Sequence, residues 1–160
     1  EVLALYADWC GLCGRSFMGK NYEVSTMEID RDTDSYMIFT VNEILSKYKD
    51  AQLFLIIGSD MFLSFHKWYK YREIMKKCTL CVMSREDEDT VKALRSYAFS
   101  TLHIYMPSNE ANGIIISPSS PLEISSTEIR QKISAGEDVS DVLTKEAYEF
   151  IKERGMYGRH

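Results

Sequence analysis

The chain has 160 residues, of which 45% are hydrophobic, 12% aromatic and 27% charged. These proportions indicate a folded domain with a hydrophobic core, and they exclude a disordered chain or a coiled coil. The net charge of −5, from 19 basic and 24 acidic residues, argues against a protein that binds nucleic acid through a broad basic surface.

The sequence also bears on location and domain organisation. No run of residues approaches the ~20 apolar positions that span a bilayer, and the first residues do not resemble a signal peptide. Four cysteines in such a chain indicate free thiols in a reducing compartment, so we expect a cytoplasmic protein with no membrane partner. Because the chain shows no repeat and no long linker, we expect one domain over residues 1–160.

The amino-terminal part of the chain carries weak structural signals. Apolar residues from Leu3 to Phe17 recur at helical spacing, but Gly11 and Gly14 each disfavour a helix by roughly 1 kcal/mol. The aromatic and β-branched content of Tyr22 to Ile29 predicts a strand. Apolar residues at helical spacing then predict a helix from Val41 to Tyr48.

The rest of the chain alternates strands with helices. Leu53 to Ile57 is apolar at every position, which is typical of a strand in a parallel sheet that helices cover on both faces. The predicted elements that follow are a helix over Tyr69–Lys77, a strand over Leu80–Met83, a helix over Thr90–Ala98, strands over Leu102–Met106 and Gly113–Ile116, and helices over Thr127–Ala135 and Lys145–Arg154 that end before Gly136 and Gly155. This order predicts an α/β fold with a parallel sheet, in which ligands bind at the carboxyl ends of the strands.

Two segments near such a strand end are candidates for binding a nucleoside. Gly58 and Asp60 follow the most apolar strand, where a glycine lets a ligand approach the backbone and a carboxylate accepts hydrogen bonds from ribose hydroxyls. The alternative is a turn in which Asp60 caps the next helix. Trp68 offers a flat face for stacking a heteroaromatic ring, or else packs in the core together with Tyr71.

A third candidate is the start of the helix after Ser125. Helix N-termini attract anions, and the hydroxyls of Ser125 and Thr127 with the guanidinium of Arg130 would complete a site for a triphosphate. Ser125 and Glu128 also fit the capping-box pattern, and both interpretations can hold together. Arg85, which follows a predicted strand, either reaches a phosphate or is a solvated loop residue.

Two C-x-x-C pairs raise the alternatives of zinc binding and redox chemistry. Cys10 and Cys13 fit a zinc knuckle, and with the preceding Tyr6-Ala-Asp-Trp they resemble the active-site segment of thioredoxins. Cys78 and Cys81 straddle the start of a predicted strand, where side chains three positions apart point to opposite faces and cannot share a metal ion. We therefore predict no metal site built by the protein.

Several motifs of this chain occur together, in the same order and spacing, in one known family. They are Val24-Ser-Thr-Met-Glu-Ile-Asp-Arg31, Ser35-Tyr36, Phe54-Leu-Ile-Ile-Gly-Ser-Asp60, Trp68-Tyr69-Lys-Tyr71, Ser84-Arg85, Ile124-Ser-Ser-Thr-Glu-Ile-Arg130 and Gly155-Met-Tyr157. With them the chain resembles the bacterial nicotinate-nucleotide adenylyltransferases of the nucleotidylyltransferase superfamily. The resemblance covers about residues 15–158 and leaves residues 1–14 unassigned. It implies a Rossmann-like parallel sheet of the nucleotidylyltransferase type.

The resemblance further implies an adenylyltransferase of NAD biosynthesis. Its substrates would be ATP and nicotinate mononucleotide, whose phosphate attacks the α-phosphorus of ATP to form deamido-NAD and pyrophosphate, with Mg²⁺ as the cofactor. The implied substrate-binding residues are Ser35, Tyr36, Gly58, Asp60, Trp68 and Tyr69, and the implied ATP phosphate-binding residues are Arg85, Ser125, Thr127 and Arg130. Trp68 would stack on the pyridine ring, the Tyr69 backbone would hold the ring carboxylate, and Asp60 would contact ribose. The oligomeric state stays open, with a homodimer as one option.

One motif of the family, G-G-T-F-D-P-x-H-x-G-H, is absent from this sequence. In the family it follows the first strand and supplies two histidines to the ATP phosphates, so the catalytic residues of this chain remain unknown. We expect a sheet that lacks its N-terminal strand or has it altered: either the chain is incomplete relative to the functional protein, or Val2 to Tyr6 takes the place of that strand. Two alternative functions stay open, a nucleotide-binding fragment or module without catalysis and a thiol-disulfide oxidoreductase that uses Cys10 and Cys13.

Overall fold

The computed structural model describes residues 11–13, 21–84, 88–118 and 125–157. The chain divides into two compact units, one formed by Met27–Pro121 and the other by Glu1–Thr26 together with Leu122–His160. That both belong to one domain stays a prediction. None of the helices in the described ranges is both long and apolar enough to cross a membrane.

The unit Met27–Pro121 has an α/β architecture, as predicted. Its elements in chain order are helix α1 (Met37–Lys47), strand β1 (Leu53–Gly58), helix α2 (Ser59–Leu63), a 3-10 turn (Phe65–Lys67), helix α3 (Tyr71–Lys77), strand β2 (Cys78–Ser84), helix α4 (Glu88–Ser100), and strands β3 (Glu110–Ala111) and β4 (Ile114–Pro118). The strands form one sheet in the order β1-β2-β4-β3.

Three strands of this sheet are parallel, which confirms the predicted Rossmann-like sheet. β1 pairs with β2, β2 pairs with β4, and the short β3 is antiparallel to β4. The β3–β4 hairpin turns at Asn112 and Gly113, whose φ angles of 50° and 78° suit the tight turns that join antiparallel strands. In the β1–β2 register Gly58 lies opposite Met83, so the two strands end at the same edge of the sheet.

The core of this unit packs on one face of the sheet. Side chains from this face and from the helices that cover it are fully or almost fully buried: Ile57, Leu80, Val82, Ile114, Ile116, Phe62, Phe65, Ile74 and Leu94. On the opposite face of β1, Phe54 and Ile56 are 52% and 69% exposed. We expected helices to cover both faces of β1, and this expectation is wrong for the face that carries Phe54 and Ile56. An all-apolar run indicates a strand, but it does not indicate which of the two faces other elements cover.

Two predicted strands are wrong. Tyr22 to Ile29 forms loop and turn, and its aromatic and β-branched side chains Tyr22, Val24 and Ile29 are exposed. Aromatic and β-branched content alone does not provide a pairing partner. Leu102 to Met106 is also irregular, and His103 within it has a φ of 60°, a left-handed conformation that interrupts an extended backbone.

The second unit contains a helical stretch at residues 11–13, helix α5 (Ser126–Ala135) and helix α6 (Lys145–Glu153). The predicted glycine-terminated helices are confirmed, because Gly136 and Gly155 adopt left-handed φ angles of 75° and 60° just after α5 and α6. Gly11 lies against α6: a Cβ at this position would lie 2.7 Å from Cζ of Phe150. Close packing therefore requires a glycine that helix propensity disfavours.

Candidate functional site

A cavity of about 350 Å³ lies in the unit Met27–Pro121. Its lining residues are Glu28, Ser35, Tyr36, Met37, Lys67, Trp68 and Tyr69. Four of them, Ser35, Tyr36, Trp68 and Tyr69, are residues for which the sequence predicts substrate binding. The cavity volume is at the small end of the range for pockets that hold small molecules. The fold thus brings two predicted binding segments to one cavity, while their roles stay predictions.

Trp68 is positioned by the connection between β1 and α3. The 3-10 turn ends with a hydrogen bond of 2.9 Å from the Trp68 N–H to the Phe65 carbonyl. The indole packs on the fully buried Phe65 ring, with the two ring centroids 5.1 Å apart, and it remains half-buried. Trp68 therefore packs against the core, as one interpretation of the sequence expected, and it also lines the cavity.

Three aromatic rings, Tyr36, Phe39 and Tyr69, form a cluster at this cavity, hereafter the aromatic cluster. The Tyr36 and Tyr69 ring centroids are 4.6 Å apart, and Phe39 of α1 packs edge-on against the two rings at 6.0 and 6.1 Å. Each of the three side chains is at least 36% exposed. Partly exposed aromatic rings grouped beside a cavity are typical of a ligand-binding surface.

The charged side chains on the cavity lining are Glu28 and Lys67. Oε1 of Glu28 accepts a hydrogen bond of 2.6 Å from the hydroxyl of Thr40 in α1. Lys67 forms no ion pair with another residue of the described part of the chain. An anionic group in the cavity would therefore meet an ammonium that pairs with no carboxylate of the described residues, Glu28 on the same lining included.

Gly58 and Asp60 lie at the carboxyl end of β1 and are not among the described residues that line the cavity. Asp60 is exposed in the first turn of α2, where a carboxylate suits the helix dipole, but the structure shows no side-chain cap on this helix. A Cβ at residue 58 would lie 2.7 Å from Oδ1 of Asp60. Gly58 therefore leaves room for the Asp60 carboxylate beside the strand end.

The predicted phosphate-binding residues Ser125, Thr127 and Arg130 lie at the exposed start of α5, in the second unit. The predicted capping box is present: the Ser125 hydroxyl accepts from the Glu128 N–H at 3.2 Å, and the Glu128 carboxylate accepts from the Ser125 N–H at 2.6 Å. The guanidinium of Arg130 donates to the Thr127 hydroxyl at 3.4 Å.

Hydrogen bonds also set the charge at this helix start. The backbone N–H and hydroxyl of Ser125 hold the pKa of the Glu128 carboxyl below its ordinary value. Glu128 is therefore an anion at neutral pH, so the side chains that could attract a phosphate here are the hydroxyls and Arg130.

Arg85 and Cys10 lie outside the described residues. Cys13 is a half-buried free thiol in the helical stretch at residues 11–13. Cys78 and Cys81 are free thiols on opposite faces of β2, as predicted, and burial raises the pKa of the Cys78 thiol. Within the described ranges, no three His, Cys, Asp or Glu side chains come together as metal ligands.

Sequence reasoning missed three lining residues, Glu28, Met37 and Lys67. Each lies in or directly beside a motif that was recognised, since Met37 follows Tyr36 and Lys67 precedes Trp68. Extending each motif by one residue would have included the last two. Glu28 lies within the recognised motif Val24–Arg31, but only the fold shows that its carboxylate reaches both the cavity and α1.

Comparison with known proteins finds a family model and relatives that match most of this chain. Residues 17–132 match the family model described as cytidylyltransferase-like. The probable nicotinate-nucleotide adenylyltransferase of Legionella pneumophila strain Corby is 31% identical over 144 residues, which are 86% of this chain and 68% of the relative. The protein of the same description from Shewanella frigidimarina strain NCIMB 400 is 30% identical over 143 residues, which are 85% of this chain and 68% of that relative.

A solved structure has a similar fold. The nicotinic acid mononucleotide adenylyltransferase of Plasmodium falciparum, complexed with APC, superposes with a TM-score of 0.50 at 14% sequence identity. The match covers 79% of this chain and 60% of the solved chain, so this chain spans about three fifths of the length of that protein. The likeness concerns the fold, and it agrees with the parallel α/β sheet described above.

Proposed function

Because the chain belongs to the cytidylyltransferase-like family of nucleotidyltransferases, we propose that it acts as a nicotinate-nucleotide adenylyltransferase. The observation that carries this proposal is the cavity lined by Ser35, Tyr36, Trp68 and Tyr69, which unites two motifs predicted to bind a pyridine nucleotide. Relatives about 30% identical over most of this chain carry that activity in their names, which supports the same assignment.

In this proposal the cavity holds the pyridine ring of nicotinate mononucleotide. Trp68, which Phe65 supports from the core, would stack on the ring, and the Tyr69 backbone would donate to the ring carboxylate. Lys67 adds a positive charge at the cavity that favours an anionic substrate. Asp60, beside Gly58 at the end of β1, would accept hydrogen bonds from ribose hydroxyls.

The start of α5 would hold the phosphates of ATP. Its backbone N–H groups, the hydroxyls of Ser125 and Thr127, and Arg130 offer hydrogen-bond donors together with a positive charge. Arg85 would contribute a second guanidinium. We propose that Mg²⁺ arrives bound to ATP as part of the substrate, because Mg²⁺ is commonly held by substrate phosphates.

The reaction that follows is a single displacement at phosphorus. A phosphate oxygen of nicotinate mononucleotide forms a bond to the α-phosphorus of ATP, the bond to the β-phosphate oxygen breaks, and pyrophosphate leaves with the electron pair. No side chain has to form a covalent bond. The protein accelerates the step by holding both phosphates in line and by stabilising the negative charge that develops on their oxygens.

The test is pyrophosphate release by the purified chain with ATP, Mg²⁺ and nicotinate mononucleotide, measured beside binding of the mononucleotide by calorimetry. Release that depends on nicotinate mononucleotide supports the proposal. Binding without release would support the alternative of a nucleotide-binding fragment or module without catalysis. A folded chain that neither binds nor reacts would contradict both.

A further inference from the structure

One wall of the cavity is built by a segment with no regular secondary structure. Residues 27–36 form neither helix nor strand, yet Glu28, Ser35 and Tyr36 from this segment line the cavity. A segment without a ladder of backbone hydrogen bonds depends on side-chain contacts for a fixed position. The contacts that tie it to α1 therefore help to decide the shape of the cavity.

Arg31 makes three contacts with one guanidinium, two of them with α1 and one within the segment. Its Nη2 donates to Oε2 of Glu43 in α1 at 3.0 Å, and its Nη1 donates to the Ser35 hydroxyl at 3.3 Å. The guanidinium carbon also lies 5.9 Å from the centroid of the Phe39 ring. The Arg31 side chain is only 14% exposed, whereas its partners Glu43 and Ser35 are exposed, so the guanidinium lies beneath the groups that it holds.

These contacts join the irregular segment to the aromatic cluster. Phe39 and Glu43 lie four residues apart on α1, so one face of this helix meets the guanidinium. Phe39 in turn packs against Tyr36 and Tyr69. The Glu28–Thr40 hydrogen bond of 2.6 Å is a second tie between the same segment and the same helix. Removing the Arg31 side chain would thus free Ser35 by loss of a hydrogen bond. It would affect Tyr36 indirectly, through the Phe39 ring that packs against it.

We propose that Arg31 is a positioning residue that holds Ser35 and Tyr36 in the conformation that binds the pyridine nucleotide. This inference rests on the proposed function, and it assigns to Arg31 no contact with the substrate. A planar guanidinium can donate to the carboxylate and the hydroxyl simultaneously while it stacks on a ring, whereas a lysine ammonium cannot combine all three. Glu43 is half exposed, so water can solvate its carboxylate when Arg31 is removed and the fold should tolerate the change.

The experiment compares Arg31→Ala and Arg31→Lys with the unchanged chain. We expect Arg31→Ala to raise the Kd for nicotinate mononucleotide by about tenfold, the effect of losing one charge-assisted hydrogen bond. The KM for ATP should stay within about twofold, because the contacts of Arg31 described above are with Ser35, Phe39 and Glu43, none of which is proposed to bind ATP. Arg31→Lys should recover part of the affinity, since it keeps the ion pair with Glu43.

Arg72→Ala is the matched control. Arg72 also stacks on an aromatic ring, 5.6 Å from the Tyr71 centroid, and donates to its hydroxyl at 3.1 Å, but it does not line the cavity. This variant should bind nicotinate mononucleotide as the unchanged chain does. If Arg31→Ala fails to fold, Glu43→Gln removes the charge of the partner and leaves Arg31 in place, and it should raise the same Kd.

The outcomes separate this inference from the proposed function. Unchanged affinity in Arg31→Ala, or equal losses for nicotinate mononucleotide and ATP, would overturn the positioning role while the proposed function stands. Unchanged affinity in Glu43→Gln would do the same where Arg31→Ala does not fold. An unchanged chain that binds no pyridine nucleotide would overturn the proposed function, and the positioning role with it.

Discussion

At the scale of single residues, Trp68 combines packing and ligand binding in one side chain. Phe65 supports the indole from the core, and the cavity adjoins it. Trp68→Ala should weaken the binding of nicotinate mononucleotide by about 1–3 kcal/mol, the range for a base stacked on an aromatic ring. Calorimetry measures the loss, and Trp68→Phe, which keeps an aromatic face, should lose less. Unchanged affinity in a folded Trp68→Ala protein would remove Trp68 from the site.

Arg130 belongs to the proposed ATP side. It is exposed, and its hydrogen bond to Thr127 is long at 3.4 Å, so its removal should leave α5 folded. We expect Arg130→Ala to reduce turnover with ATP about 100- to 1000-fold, as for loss of a group that stabilises developing charge, with little change in mononucleotide binding. Steady-state kinetics with varied ATP is the measurement, and Gln131→Ala on the same helix is the control. Equal losses of turnover and mononucleotide binding would indicate that Arg130 supports the fold.

At the scale of elements, the start of α5 has a pH dependence of known sign. The lowered pKa of Glu128 means that folding favours its charged form. Its contribution to the helix is therefore fully present above the ordinary pKa of a carboxyl group, and it is lost as the pH falls through the lowered pKa. We expect the Ile129 amide, which donates to the Ser125 carbonyl, to lose protection from hydrogen exchange over that acidic interval. Glu128→Gln should show a weaker pH dependence, and an identical profile would contradict the assignment.

The helix predictions for α5 and α6 were right and two strand predictions were wrong, and the reason is a property of these elements. Helices α5 and α6 were predictable because their signals are local: a capping box at Ser125, and glycines at 136 and 155 that take left-handed backbone conformations. Residues 22–29 have strand-like composition, yet they form no strand. A strand needs a neighbouring strand to pair with, and the composition of a segment does not indicate whether such a partner is present.

At the scale of the molecule, the sheet has one covered and one exposed side at β1. Ile57 and Ile56 are adjacent in the chain and are 6% and 69% exposed. Ile57→Ala should lower the free energy of unfolding by about 2–5 kcal/mol, and Ile56→Ala by about 0.5 kcal/mol or less. Urea denaturation of the two variants measures the difference. Equally large losses would show that the face carrying Phe54 and Ile56 is covered in solution.

The amino-acid sequence by itself determined the α/β class, the parallel strands and the family. Those properties depend on local patterns, namely apolar runs of strand length, helix caps and the order of motifs along the chain. The sequence also indicated Ser35, Tyr36, Trp68 and Tyr69 as a group, but only by their resemblance to the family.

Only the tertiary structure decided which side chains share the cavity and what holds them there. The structure shows that the cavity lining also includes Glu28, Met37 and Lys67, and that Arg31 connects the irregular segment to α1. No periodic pattern in the sequence indicates these positions. The physical reason is that these contacts connect residues from separate segments. Their distances depend on how α1, the sheet and the connection after β1 pack together, and packing is a property of the whole fold.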